Sequence, residues 1–318
     1  MKIKYSLIIP VYNKETSLIK LFSQLKKIRR NDVEIIFIDD GSKDNSKKML
    51  KQFASTSTNT IALSQKNAGP GAARNTGLNK AVGDYIWFID SDDVFNVNAF
   101  DLFDNLIKIA KSPDIIFFDY SIKSEFDLNF KAKLNESYNE ISNKHALIFE
   151  SVNPWSKIFK RKTLLDDNII FPKYYFAEDL CFTRKAYCSS QKMIHTENVL
   201  YNYIDTANSI SKTHFEKHGK DFYNVCNYIF KISKEYPQYK EELEYNISEH
   251  TESYIKNIHN PSLYQNLIDN LRSFITINKI NNNTYTILKN NVTNKIISSF
   301  RWKITEPLVK FKALFKIK

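Results

Sequence analysis

The run Tyr85-Ile86-Trp87-Phe88-Ile89 ends abruptly in Asp90-Ser91-Asp92-Asp93, and no other feature of the chain constrains its fold as tightly. Tyr, Ile, Trp and Phe favour pleated, packed positions, so the run reads as a buried strand. The three carboxylates that follow repel one another and keep their water unless a cation or a donor replaces it. Such a strand suits an open α/β sheet, which binds ligands beyond the carboxyl ends of its strands. Oxygen-rich clusters suit Mg²⁺ or Mn²⁺, which commonly arrive with the phosphates of a nucleotide. The plainer alternative is a solvated acidic turn that caps a helix beginning near Val97.

Tyr5–Val11, Val33–Ile38 and Thr60–Leu63 are further strand-like runs, each followed by a polar or glycine-containing turn and then by helical periodicity. Between Ser17 and Ile28, apolar residues recur at Leu18, Leu21, Phe22, Leu25 and Ile28, the spacing of a one-sided helix. Ser46–Phe53 and Ala72–Ala81 read as short helices, and Ile115–Phe118 as another strand. Strands alternating with helices imply an α/β fold with a mostly parallel sheet and right-handed crossovers. The strand ends carry Tyr12-Asn13, Asp39-Asp40-Gly41-Ser42 and Asp90 to Asp93, three polar ends that meet at one sheet edge.

Four blocks resemble the family 2 glycosyltransferases: Ile8-Ile9-Pro10-Val11-Tyr12-Asn13, Ile38-Asp39-Asp40-Gly41-Ser42, Asn67-Ala68-Gly69-Pro70-Gly71-Ala72-Ala73-Arg74-Asn75-Thr76-Gly77 and Phe88-Ile89-Asp90-Ser91-Asp92-Asp93. They occur in the family's order over roughly the first third of the chain. A weaker match continues through Asn153-Pro154-Trp155-Ser156-Lys157-Ile158-Phe159 and Phe176-Ala177-Glu178-Asp179. The resemblance implies a GT-A fold, a nucleotide-diphospho-sugar donor whose base is usually uracil, and donor contacts from Asn67 and Ser91. It also implies that the Glu178-Asp179 pair includes the catalytic base and that Trp155 and Lys157 lie on the acceptor side.

The chemistry can also be argued from the residues. A nucleobase needs an acceptor for its imide N–H and a wall; Asp40, with Asp39 as second choice, supplies the first and Pro10-Val11-Tyr12 the second. Gly69, Gly71 and Gly77 are half of the six glycines, and they permit tight turns and close backbone approach to a ligand. Arg74 adds a permanent donor at a helix start. In the acidic cluster Asp90 faces the ribose or metal-bound water, Asp92 is the first choice for direct metal ligation, and Asp93 is the second. Inverting transfer needs a carboxylate that takes the acceptor hydroxyl's proton. Asp179, with Glu178 as second choice, fits in the first turn of a helix from Glu178 to Tyr187, where the positive helix end favours ionised carboxylates. Capping without catalysis, and a core position for Trp155, are the plain alternatives. One departure is Ile204, where the resemblance leads one to expect Arg. His195 and His214 read as ordinary surface or core residues.

With 318 residues, 42% of them hydrophobic, the chain can build one substantial core and an appendage. We place a GT-A domain at 1–210 (nucleotide half 1–95, acceptor half 96–210) and a helical extension at 211–318. Three cysteines without metal spacing read as reduced thiols, and no leader or membrane-spanning stretch is evident. Residues 295–318 carry Lys295, Arg301, Lys303, Lys310, Lys312, Lys316 and Lys318 against Glu306 alone. Apolar residues from Ile297 to Phe315 recur there at helical spacing, the pattern of a segment lying on anionic membrane. The alternative is a helix docked on its own chain. The net charge of +11 agrees with lipid, and no nucleic-acid motif appears. The expectation is a cytoplasmic enzyme on the inner membrane face, using Mn²⁺ or Mg²⁺ and a glycan or lipid-linked acceptor; the sequence leaves a homo-oligomer open. A nucleotidyltransferase and an inactive membrane-bound scaffold are the other readings.

Overall fold

The computed structural model describes residues 2–123, 134–205 and 219–256. The chain runs β1 (Tyr5–Val11), α1 (Glu15–Leu25), β2 (Val33–Asp39), α2 (Ser46–Ala54), β3 (Thr60–Ser64), α3 (Pro70–Leu78) and β4 (Tyr85–Phe88). There follow β5 (Val94–Phe95), α4 (Ala99–Ile109), β6 (Ile115–Lys123), β7 (Asn139–Ile141), α5 (Asn143–Phe149), β8 (Lys157–Lys160) and α6 (Arg161–Asp166). The last elements are α7 (Glu178–Ser189), β9 (Met193–Ile204), α8 (Gly219–Glu235) and α9 (Lys240–Lys256).

The sheet order is β3-β2-β1-β4-β8-β6-β9-β5, with β7 on β9. From β3 to β4 every neighbour is parallel, as the alternating pattern predicts. Beyond β4 the sheet is mixed, because β8 enters antiparallel between β4 and β6 while β6 and β9 run parallel. β1 is nearly continuous apolar sequence because helices cover both its faces. Pro10 sits past the last residue paired to β4, so its missing N–H interrupts no ladder there. Leu18, Leu21 and Leu25 on α1 are buried, and each such side chain contributes about 1.5–3 kcal/mol. Trp87 lies edge-on to Phe95, Phe100, Phe103 and Phe118, and its Nε1 donates to Trp155 O at 2.9 Å. Gly77 lets α3 lie against β1 and β2, since a Cβ there would meet Ile8 Cγ2 at 2.4 Å.

Contacts divide the chain into two units, Met1–Ile247 and Ser248–Lys318. The boundary expected at 210/211 falls among residues 206–218, outside the described residues. The first unit runs on past it because α8 and the start of α9 pack on α7 and α5. Arg184 on α7 meets Asn246 Oδ1, Asn246 Nδ2 donates to Leu147 O at 2.9 Å, and Ser189 bonds Tyr236 at 2.7 Å. The basic segment 295–318 and His214 also lie outside the described residues. Among the described residues no helix is long and apolar enough to cross a membrane.

Candidate active site

β1, β2 and β4 end side by side, and α7 brings its first turn to the same edge. Ala177, just before that turn, is held in the left-handed region (φ 57°), which costs an L-residue about 1–2 kcal/mol. The strain falls directly before the Glu178-Asp179 pair.

Arg74 is the hub. It projects from α3 and is 4% exposed. Nη2 donates to Asp90 Oδ1 at 2.9 Å, and Nη1 to Asp179 Oδ1 at 2.9 Å and Glu178 Oε1 at 3.3 Å. Burial opposes its charge, but Asp179, Asp90 and Glu178 outweigh that and hold it protonated. Burial pushes the Asp179 carboxyl above the usual range against the pull of Arg74, and burial followed by the charge of Asp179 does the same to Glu178. One guanidinium thus serves three carboxylates, and Oδ2 of both Asp90 and Asp179 has no hydrogen-bond partner among the described residues. Arg74, expected to meet the donor, turns Nη1 and Nη2 to these three carboxylates, while its buried Nε has no partner among the described residues. At Gly71 a Cβ would lie 2.9 Å from Glu178 Cγ and 3.0 Å from Phe171 Cβ, so the missing side chain makes room for the head of α7.

The acidic cluster is divided unevenly. Asp93, the second choice for metal, is buried and has no oxygen to spare. Its Oδ2 accepts from Tyr201 OH and its Oδ1 from Ile204 N, both at 2.8 Å. Tyr201 OH also accepts from Asp90 N at 3.1 Å, so β9 braces the turn at two points. Ile204, where Arg was expected, serves here through its backbone. Asp92 is the more open carboxylate, 25% exposed at its side chain, and its Oδ2 is paired with Lys14 Nζ. Ser91 is buried in the turn.

At the end of β2 the two adjacent aspartates are held differently. Asp40 Oδ1 accepts from Gln65 Nε2 and Ala68 N, and its Oδ2 from Gly69 N, at 2.8–2.9 Å. Its carboxylate therefore ties down the 65–69 loop. Asp39 accepts from Ser42 N at Oδ1, and its Oδ2 has no hydrogen-bond partner among the described residues. Asn67 Nδ2 donates to Asp40 O at 3.0 Å. Pro10 and Val11 lie along the strand end, and Tyr12 is exposed beyond it.

Neither residue expected on the acceptor side is offered to solvent. Lys157 is wholly buried, with Nζ donating to Ser151 O at 3.0 Å, Ser156 Oγ at 2.9 Å and Asn153 O. Burial pulls its ammonium down to about 7 against the charge of Glu150. Trp155, 5% exposed, is stacked on Tyr201 at 4.6 Å and Tyr203 at 5.7 Å. His195 bridges Asp119 Oδ1 at 2.9 Å and Glu150 Oε1 at 3.4 Å, away from the Arg74 hub.

Sequence reading missed Lys14, Tyr201 and the splitting of Asp39 from Asp40. The Tyr201-x-Tyr203 pair was the available signal for the brace. Among the described residues no three His, Cys, Asp or Glu side chains converge into a metal cage. Asp92, with Oδ2 of Asp90, still fits a hard cation, because Mg²⁺ commonly binds through one or two carboxylates plus substrate phosphates.

The sequence profile of "Glycosyl transferase family 2" matches residues 6–174. Glycosyltransferase GlyA of Streptococcus pneumoniae is 29% identical over 67% of this chain and 32% of its own length. The poly(ribitol-phosphate) beta-glucosyltransferase of Bacillus spizizenii is 30% identical over 63% of this chain and 32% of its own length. The chain thus spans about a third of these relatives. The crystal structure of Staphylococcus aureus TarS 1–349 in complex with UDP-GlcNAc shares the fold, with TM-score 0.75, 19% identity, and coverage of 96% of this chain and 95% of that one.

Proposed function

We propose, from the premise that this chain belongs to glycosyl transferase family 2, that it is an inverting enzyme. It moves a sugar from a UDP-linked donor to a hydroxyl of a cell-surface glycan or lipid-linked saccharide. The observation that carries this reading is the Arg74 hub. It sets Asp90, at the donor-side strand end, and Asp179, at the head of α7, against one guanidinium. The UDP-GlcNAc held by the TarS neighbour and the poly(ribitol-phosphate) substrate of the Bacillus relative support the donor and acceptor classes.

Asp179 is the general base in this reading. Arg74 holds its Oδ1 and keeps it ionised, while burial raises its basicity above that of a solvated aspartate. Oδ2 takes the acceptor proton as the hydroxyl oxygen bonds the anomeric carbon and the bond to the diphosphate oxygen breaks on the opposite face. Glu178 packs behind it on Gly71 and shares the guanidinium. Asp39 accepts the uracil imide N–H. A Mg²⁺ or Mn²⁺ held by Asp92 and Asp90 would offset the charge gained by the departing diphosphate. The basic stripe at 295–318 is the segment we assign to anionic lipid, which would hold the enzyme peripherally at the membrane.

The test is a nucleotide-sugar panel with a glycan acceptor, scored for products. Free UDP released with transfer of the sugar is the expected result. Pyrophosphate released from a nucleoside triphosphate would make the chain a nucleotidyltransferase, and no turnover with any donor would favour the scaffold reading.

A further inference from the structure

Lys14 is the one residue at the site whose contact works against the chemistry assigned above. Its ammonium pairs with Asp92, the carboxylate best placed to hold a cation. The other two members of the acidic cluster are held differently. Asp90 is held by the buried Arg74, and Asp93 by a buried tyrosine and a backbone N–H. Asp92 alone is held by a long, flexible side chain that is about a third exposed.

The backbone that carries Lys14 is pinned. Asn13, in the left-handed region at φ 52°, turns the chain out of β1. Asn13 N donates to Ser42 Oγ at 3.0 Å, Lys14 N to Ser46 Oγ at 2.9 Å, and Glu15 N to Asp44 Oδ2 at 3.1 Å. In return Lys43 N donates to Asn13 Oδ1 at 2.7 Å and Asn45 N to Glu15 Oε2 at 2.8 Å. With the backbone held on both sides, exchange of the Lys14 ammonium needs only rotation of its side chain.

We propose that Lys14 is a resident cation that closes Asp92 to divalent metal until a diphosphate arrives. An ammonium and a divalent cation on one carboxylate repel each other, so the two compete. A nucleotide diphosphate removes that conflict by offering the ammonium a new set of acceptors beside the old one. Metal and nucleotide therefore load together, and Lys14 moves from Asp92 to the phosphates as they do. This inference rests on the reading of Asp92 as the cation ligand.

The test is Mn²⁺ binding to the full chain, followed by the electron paramagnetic resonance signal of free Mn²⁺, with and without UDP. In the wild type, UDP is expected to tighten Mn²⁺ binding by about tenfold or more, within the ordinary range of coupling between sites. Lys14→Met is expected to tighten Mn²⁺ binding without UDP by about tenfold and to shrink the UDP-dependent gain correspondingly. Lys14→Arg, which keeps the charge, should behave as wild type. Thermal melts verify that each variant is folded. Equal Mn²⁺ affinity of wild type and Lys14→Met without UDP would overturn the proposal. Mn²⁺ bound by neither protein, even with UDP shown to bind by calorimetry, would overturn it by a different route, since it removes Asp92 as a cation ligand.

Discussion

Replacing Arg74 by glutamine tests the hub directly. The guanidinium is buried, and it is the only cation touching Asp90, Glu178 and Asp179 among the described residues. Removing one partner of a buried ion pair costs about 3–5 kcal/mol, because the remaining charge is left in a poor solvent. That is a large share of the 5–15 kcal/mol typical of a folded domain. Part of the loss should be recoverable with acid. Glu178 and Asp179 already have raised pKa values, and without Arg74 both rise further. A carboxyl whose folded pKa exceeds its unfolded value stabilises fully only below the unfolded value, and loses that contribution as pH rises. Urea unfolding at pH 7.5 should therefore show Arg74→Gln weaker than wild type by about 3–5 kcal/mol, and the gap should close by at least about 1 kcal/mol at pH 5.5. Adding Glu178→Gln to the variant should recover part of the loss at pH 7.5. An equal deficit at both pH values, or one under about 1 kcal/mol, would refute the view that Arg74 balances buried charge.

Asp179→Asn keeps the shape and loses the proton acceptor, so transfer should fall by about two to four orders of magnitude while UDP affinity holds. Transfer rates near wild type would move the base elsewhere. His195 offers a second pH signature. Its bond to Glu150 raises its pKa, which puts its stabilising contribution below the unfolded value of about 6.5 and removes it as pH climbs through the folded value. Glu150 is lowered, because its bond to His195 overcomes burial, so its share is present above about 4.3 and fades in acid. Thermal melts of His195→Gln should thus differ most from wild type between pH 5 and 6 and least near pH 8.5; a gap that widens in base would contradict the assignment.

The parallel half of the fold was legible because β1, β2 and β4 are apolar runs and the helices between them are one-sided. β8 was not legible as a strand. Lys157–Lys160 has no pattern of its own and becomes a strand only by pairing with Tyr85–Trp87 and Ile115–Phe117. In the candidate site, motif order singled out Asp90 and Asp179, which Arg74 joins, whereas the different settings of adjacent carboxylates escaped. Asp39 and Asp40 are chemically identical, and only the return of the 65–69 loop onto Asp40 separates them. Asp92 and Asp93 differ for the same reason, since Tyr201 and Ile204 lie more than a hundred residues downstream. Nothing local in the sequence marks the aromatic stack that covers Trp155 or the carbonyl nest that encloses Lys157.

The brace between Asp93 and β9 also bears on how the chain is made. Synthesis releases the N-terminus first, at about 5–20 residues per second. The contacts of β1 to β4 are complete once residue 88 has emerged. Asp93 waits for Ile204, 111 positions later, which at that rate is roughly 6 to 20 seconds. For the first part of that interval β4 is an open edge, the kind of surface that recruits other strands. Its proper neighbour, β8, comes only near the middle of the wait. A chain stopped early would keep the parallel half of its sheet, yet it would lack Tyr201 and Ile204 and leave the acidic turn unframed. Completion of the acidic turn is therefore a late event in the synthesis of this chain.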